Sequence, residues 1–187
     1  MAENDRQKRG RKLLLTLLIV GVVGSIAGIG TFSAFTATTS NDNNTFATGT
    51  VSITDNDASL PLYAITNGKP GTSTTACINV TYTGSLPATV ALSESGALGS
   101  LANSLDLTVD EGNQVAAFGS ACTGFGAGTT VYSGKLGSFA STSLSGTWNQ
   151  NDVRAYRFTI SLPAGAGNAL QGLSTGLHSF VWTATNV

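Results

Sequence analysis

The sequence predicts an all-β fold, an antiparallel β-sandwich or jelly roll, preceded by an N-terminal signal helix. Short segments with alternating apolar and polar residues recur along the chain, separated by turns that contain Gly and Pro. No amphipathic helix of ordinary length follows Gly30. Only 10% of the residues are charged, against about 25% in an ordinary domain, whereas 20 Ser and 26 Thr residues occur. Few charges and many small hydroxyl side chains favour a β-rich surface outside the cell.

The N-terminus has the pattern of a secretory signal peptide. An uncharged apolar run from Leu13 to Gly30 follows a basic segment. The basic residues are Arg6, Lys8, Arg9, Arg11 and Lys12. Small residues crowd the end of the run and predict cleavage between Ala34 and Phe35, so that residues 1–34 form the signal peptide. Because a run of 18 apolar residues is at the lower limit for spanning a bilayer, a retained transmembrane anchor is the alternative.

The chain from Phe35 onward carries four basic and eight acidic residues, a net charge of −4. This charge disfavours nucleic acid as a partner, because phosphate binding needs clustered Lys and Arg. The remaining 153 residues are enough for one hydrophobic core. We expect an N-terminal arm at residues 35–47 and a β-sandwich domain at residues 48–187.

Seven segments of the domain have strand patterns. In the clearest one, Cys77–Thr83, Ile78 and Val80 alternate with polar neighbours. The predicted strands are Thr48–Thr54, Cys77–Thr83, Ala88–Ser93, Leu105–Val109, Thr129–Ser133, Arg154–Leu162 and His178–Thr185. One helical turn is predicted within Gly134–Ser141.

The arm is polar and lacks periodicity between its two aromatic ends, Phe35 and Phe46. Such a segment can add as a strand to an open sheet edge of a neighbouring subunit, and open head-to-tail contacts generate filaments. Phe35, Phe46 and the first-strand residue Val51 are therefore candidate assembly residues. The alternative is an arm that stays disordered or folds on its own domain.

Cys77 and Cys122 predict one disulfide, because an even number of cysteines in an exported protein indicates pairing. A catalytic thiol is disfavoured, since the one His of the chain lies 56 residues beyond Cys122 with no supporting motif. The disulfide is predicted to be a structural staple.

Three short motifs resemble chemical sites. The segment Gly172–Gly176 matches GxSxG and precedes His178, but no acidic residue follows Asp152, so a turn before the last strand is predicted. Leu86–Val90 approaches a sortase signal without its final Gly. Asp55-Asn56-Asp57 offers too few ligands for calcium and predicts a turn. A single His cannot supply two-histidine zinc ligation, so we predict no enzyme activity, no catalytic or metal-binding residues and no cofactor.

Two N-terminal segments carry a family resemblance. Gly30-Thr31-Phe32-Ser33-Ala34-Phe35 and Thr45-Phe46-Ala47-Thr48-Gly49-Thr50-Val51 resemble the start of the TasA/camelysin family. The segments Ala76–Val90, Thr130–Leu136 and Tyr156–Thr159 are similar to its actinobacterial-type members. The resemblance implies a jelly-roll domain, processing by a SipW-type signal peptidase, secretion and assembly into extracellular fibres. In that assembly the N-terminal strand of one subunit complements the sheet of the next.

The sequence therefore predicts a secreted, non-enzymatic structural subunit of surface fibres or of a biofilm matrix, located outside the cell or at its surface. Its expected partners are further copies of itself, other matrix proteins and the SipW-type signal peptidase. Two alternatives stay open, a camelysin-like cell-surface metallopeptidase and a monomeric surface-binding module.

Overall fold

The computed structural model describes residues 10–22, 47–126 and 128–187. The chain divides into two compact units, Met1–Phe46 and Ala47–Val187. In the first unit, residues 10–22 are helical and their side chains are exposed. Within the described ranges no helix has the length and apolarity needed to cross a membrane. The predicted cleavage site at Ala34 and Phe35, and the arm as far as Phe46, lie outside the described residues.

The second unit is a sandwich of two antiparallel sheets, which confirms the predicted all-β class. The larger sheet, sheet A, has the strand order β1-β2-β7-β4-β5, and the smaller one, sheet B, has the order β6-β3-β8. The strands are β1 (Ile53–Asp55), β2 (Ser73–Tyr82), β3 (Ala88–Gly96), β4 (Asp106–Gly112), β5 (Thr129–Lys135), β6 (Ser141–Ser143), β7 (Val153–Ser161) and β8 (His178–Asn186). Short 3-10 helices occupy Ser100–Asn103, Leu136–Ser138 and Asn168–Leu170.

The core lies between the two sheets, because every second residue of each strand points inward. Its largest fully buried side chains are Trp148, Tyr82, Tyr156, Phe158, Ile78, Leu92 and Leu107. Two ring contacts hold β8 over β7: Tyr156 lies 5.7 Å from Trp182, and Phe158 lies 4.5 Å from Phe180, between ring centroids. These contacts fix the position of β8, which is the last strand of sheet B.

All seven predicted strands exist. Three of them, β2, β3 and β4, extend three or four residues beyond one predicted end, and two further differences concern β1 and β6. The first is shorter than predicted, because residues 48–52 bond to residues 83–86 only at separate points such as Leu86 N–H to Thr50 O (3.2 Å). Val51 lies in that segment and is exposed. The second difference is β6, which was not predicted because Ser141–Ser143 has no apolar residue to alternate. The predicted helical turn is confirmed as the 3-10 helix Leu136–Ser138.

A loop at residues 113–126, here called the strap, crosses the outer face of sheet A. The predicted disulfide between Cys77 and Cys122 is present and ties the strap to β2. Beneath the strap a second apolar cluster forms from Cys77, Val115, Phe125 and Ala155. The strap runs so close to β4 that a Cβ on Gly112 would lie 2.8 Å from the Phe125 ring, which explains the glycine there.

Candidate interaction site

One edge of β8 is open. β8 pairs with β3 along its whole length, from Ala88 opposite Asn186 to Gly96 opposite His178. Within the described residues, no strand pairs with its other edge. Nine residues at about 3.3 Å each give an edge about 30 Å long. The edge is therefore long enough to accept a full additional strand.

The register shows which main-chain groups face this open edge. Val187 N–H donates to Pro87 O at 3.2 Å, so the alternating antiparallel pattern bonds the odd-numbered residues of β8 to β3. The N–H and C=O groups of the even-numbered residues then point away from β3. These residues are His178, Phe180, Trp182, Ala184 and Asn186. The side chains of the first four are half-buried on the inner face of the sandwich, and Asn186 is exposed.

An apolar groove of about 800 Å³ runs along the inner side of the first half of this edge, from His178 to Trp182. It exists because sheet B has three strands against five in sheet A, so that part of the inner face of β2 and β7 has no opposing strand. Ile78 and Ile160 lie on its sheet A side, and Phe180 and Trp182 on its β8 side. Residues 60–68 and 170–177 complete the lining.

Apolar side chains at the rim of the groove are exposed to solvent. They are Leu60 (58%), Ile65 (43%), Leu173 (39%) and Leu177 (96%), given as exposed fractions. Burial of such side chains contributes a favourable transfer free energy of about 25 cal/mol for each Å² removed from water. The groove thus offers apolar contacts to an occupant, and the β8 edge offers hydrogen bonds.

At one end of the groove, Tyr63 and His178 form a polar cluster. The Tyr63 hydroxyl and His178 Nε2 lie 2.5 Å apart in a hydrogen bond. Burial, together with the nearby Glu94 carboxylate, raises the pKa of Tyr63 to about 12, and a hydrogen bond with Thr175 acts in the opposite direction. Among the described residues, His178 Nδ1 and Glu94 Oε1 are buried and have no hydrogen-bond partner. The cluster fixes the loop at residues 60–68 to the start of β8.

At the other end of the groove lie two carboxylates, Asp55 and Asp57. Asp55 pairs with Val80 of β2, and Val80 pairs with Arg154 of β7. Arg154 lies two residues along β7 from Tyr156, whose ring contacts Trp182 of β8. The carboxylates are therefore level with the C-terminal half of β8. Burial raises the pKa of Asp55, and the neighbouring Asp57 carboxylate adds to this effect.

The two groove carboxylates lack a cationic partner within the described part of the chain. By contrast, Asp106, Asp110 and Glu111 pair with Lys135, Arg157 and Arg154, respectively. The predicted turn after the first strand is confirmed, since Asp55 Oδ1 accepts from Asp57 N–H at 3.2 Å. In residues 10–22, 47–126 and 128–187 no group of three His, Cys, Asp or Glu side chains is placed to hold a metal ion.

The remaining motifs resolve as structural features. Gly172–Gly176 forms the predicted turn before the last strand. The hydroxyl of Ser174 accepts a bond from Gly176 N–H at 3.4 Å, whereas His178 Nε2 bonds to Tyr63. Both residues line the groove, but no hydrogen bond joins them. Leu86 at the start of the sortase-like segment accepts a hydrogen bond from the Tyr82 hydroxyl through its main-chain oxygen.

Sequence reasoning missed the groove residues. Leu60, Leu62, Tyr63 and Ile65 carry apolar side chains in a segment without a strand pattern, and this concentration was the available signal. Glu94 extends the inward series of Val90 and Leu92, although the predicted strand ended at Ser93. The chain matches no model of a known protein family, and no curated protein is similar enough to it to count as a match.

Proposed function

We propose that this protein is a secreted structural subunit of extracellular fibres or of a biofilm matrix, and that it assembles by strand donation. The N-terminal arm of one subunit, residues 35–47, adds to the open edge of β8 in the next. The single observation that carries this proposal is the open nine-residue edge of β8 beside an apolar groove.

The other sheet edges support this choice, because each carries a feature that protects it against strand addition. β1 and β6 are three residues long. β5 ends in Lys135, and its pairing with β4 is interrupted by an irregularity between Val109 and Asp110. β8 has no Lys, no Pro and a regular register. Among the described strands, β8 is thus the long edge without protection.

The length and composition of the arm fit this role. Thirteen extended residues span up to about 43 Å, which covers the β8 edge of about 30 Å and leaves several residues as a connection. The disulfide between Cys77 and Cys122 fits a protein that works outside the cell. The basic and apolar N-terminal segment is typical of an export signal.

The proposal is tested with one proline in the β8 edge. In Ala184→Pro the lost N–H is one that faces the open edge, so the bonds to β3 stay intact and the subunit should fold. The matched control is Ser133→Pro. The hydrogen bond from Leu136 N–H to Leu105 O (3.0 Å) fixes the pairing of β5 with β4. In this pairing the main-chain N–H of Ser133 points away from β4, to the outer edge of β5.

We expect the mature wild-type protein and Ser133→Pro to form filaments in negative-stain electron microscopy, and Ala184→Pro to remain monomeric with an unchanged circular-dichroism spectrum. Deletion of residues 35–46, which leaves the sandwich unit whole, should also abolish filaments. N-terminal sequencing of the filaments should give Phe35 as the first residue. Filaments from Ala184→Pro equal to those of the wild type would contradict strand addition at β8.

A further inference from the structure

We propose that the arm binds antiparallel to β8, with its newly formed N-terminal amine at Asp55 and Asp57. This inference rests on the proposed strand donation and adds its direction, its register and the chemical group that is recognised. The occupant of the β8 edge and the groove is the amino-terminal segment of a second copy of this chain, which begins with an aromatic residue that carries a free α-ammonium group.

The register follows from the alternation of side chains in a strand. Phe35 and Phe46 are 11 residues apart, so they point to opposite faces of a continuous strand. If Phe35 faces the groove, Ala37, Thr39 and Asn41 face it too, and no charge is buried. The opposite register would bury Asp42 in an apolar groove, which is unfavourable without a partner.

A specific pairing then places small residues opposite large ones. With Phe35 opposite Ala184, Ala37 lies opposite Trp182 and Thr39 opposite Phe180, so that small side chains of the arm meet the two large rings that line the groove. On the outer face, Thr36 lies opposite Thr183, a pair of the kind that stabilises antiparallel strands.

The direction follows from the two ends of the groove. Every ladder among the described strands is antiparallel, and antiparallel pairing is slightly more stable for each residue. An antiparallel arm begins at the C-terminal half of β8, where Asp55 and Asp57 lie without a cationic partner in the described residues. A parallel arm would begin at His178, which is already bonded to Tyr63.

The direction also decides between a filament and a closed dimer. The described part of the sandwich unit begins beside the C-terminal end of β8, because Thr50 O accepts from Leu86 N–H and Val187 N–H donates to Pro87 O. With antiparallel binding the donor joins the acceptor at the His178 end, so each subunit meets the next head to tail and growth stays open. With parallel binding the two arm origins meet, and two subunits can close on each other.

The amine exists only after cleavage before Phe35. In the uncut precursor this nitrogen is an amide, carries no charge and continues into residue 34. Recognition by Asp55 and Asp57 would therefore restrict assembly to processed subunits.

Engineered disulfides test the direction in the full mature chain. Thr36 and Thr183 would form a pair without main-chain hydrogen bonds, in which Cα atoms are about 4.5 Å apart, within the range for a disulfide. We expect Thr36→Cys with Thr183→Cys to give a ladder of covalent oligomers on non-reducing gels of filaments. Thr36→Cys with Ser179→Cys, the matched control for parallel binding, should give monomers. A ladder only from the Ser179→Cys chain, or filaments without a ladder from either chain, would overturn the proposal.

A second variant tests the amine. The double substitution Asp55→Asn with Asp57→Asn should raise the critical concentration for filament growth about ten-fold or more, because charge-assisted hydrogen bonds are lost. Asp106→Asn, an exposed carboxylate paired with Lys135, is the control and should leave that concentration unchanged. An unchanged value in the double variant would refute recognition of the amine while strand donation stands. Absence of filaments from the wild type would instead refute strand donation itself.

Discussion

Removal of the disulfide should cost about 4 kcal/mol of unfolding free energy. The bond joins residues 45 apart, and the chain-entropy model gives about 4 kcal/mol for a loop of that length. The strap should keep its native position in Cys77→Ala with Cys122→Ala, because other contacts hold it. Cys77 N–H bonds to Gly119 O at 2.9 Å, and the Arg157 guanidinium lies 4.6 Å from the centre of the Phe125 ring.

The measurement is equilibrium unfolding in urea, followed by the fluorescence of the core residues Trp148 and Trp182. With a slope of about 2 kcal/mol per M, the midpoint should fall by about 2 M. Wild-type protein with a reducing agent is the control, and its urea midpoint should fall to that of the double variant. The midpoint of the double variant should not change when the reducing agent is added. A loss below about 1 kcal/mol would refute the argument from loop closure.

Two further predictions concern single side chains. Asn79→Ala should cost about 2–4 kcal/mol in the same urea experiment, because Asn79 Nδ2 and Oδ1 bond to Val115 O and N–H at 2.8 and 2.9 Å, and both partners would stay buried. Tyr63 should ionise near pH 12, about two units above an ordinary tyrosine, and Tyr63→Phe should remove that step from the phenolate absorbance titration. Because the pKa of Tyr63 is higher in the folded state than in the unfolded chain, the stability that Tyr63 supplies should fall as the pH rises from 10 to 12. A Tyr63 ionisation step near pH 10 would contradict the effect of burial.

Alternation of residue types was enough to predict the class of fold and the seven longer or more apolar strands. It could not predict which strand lies at an edge, because central and edge strands of a sandwich alternate alike. Asn79 shows the same limit. Its polar position beside Ile78 and Val80 predicts exposure, yet it is only 7% exposed because the strap covers it. The covering loop comes from a distant part of the chain, so local pattern carries no information about it.

The candidate site, like the burial of Asn79, depends on contacts between residues that are far apart in the sequence. The residues of the groove come from β2, β7 and β8 and from two loops, and no spacing in the sequence links them. The cysteine pair was predictable because its chemistry requires a partner. The open edge was not, because it arises from the difference between a three-stranded and a five-stranded sheet.

Sheet A and sheet B differ in how far other parts of the chain cover their edges, and this difference bears on function. In sheet A, other parts of the chain cover most of the β2 edge that faces away from β7. β1 pairs with Val80–Tyr82. Asn56 Oδ1 accepts from Asn79 N–H, and Gly119 pairs with Cys77. On β8 the five even-numbered residues from His178 to Asn186 direct their main-chain groups to an edge with which no described strand pairs. A long unprotected edge promotes aggregation and is usually selected against unless it is used. Because each subunit would offer one such edge and one arm, strand donation would give linear, unbranched filaments.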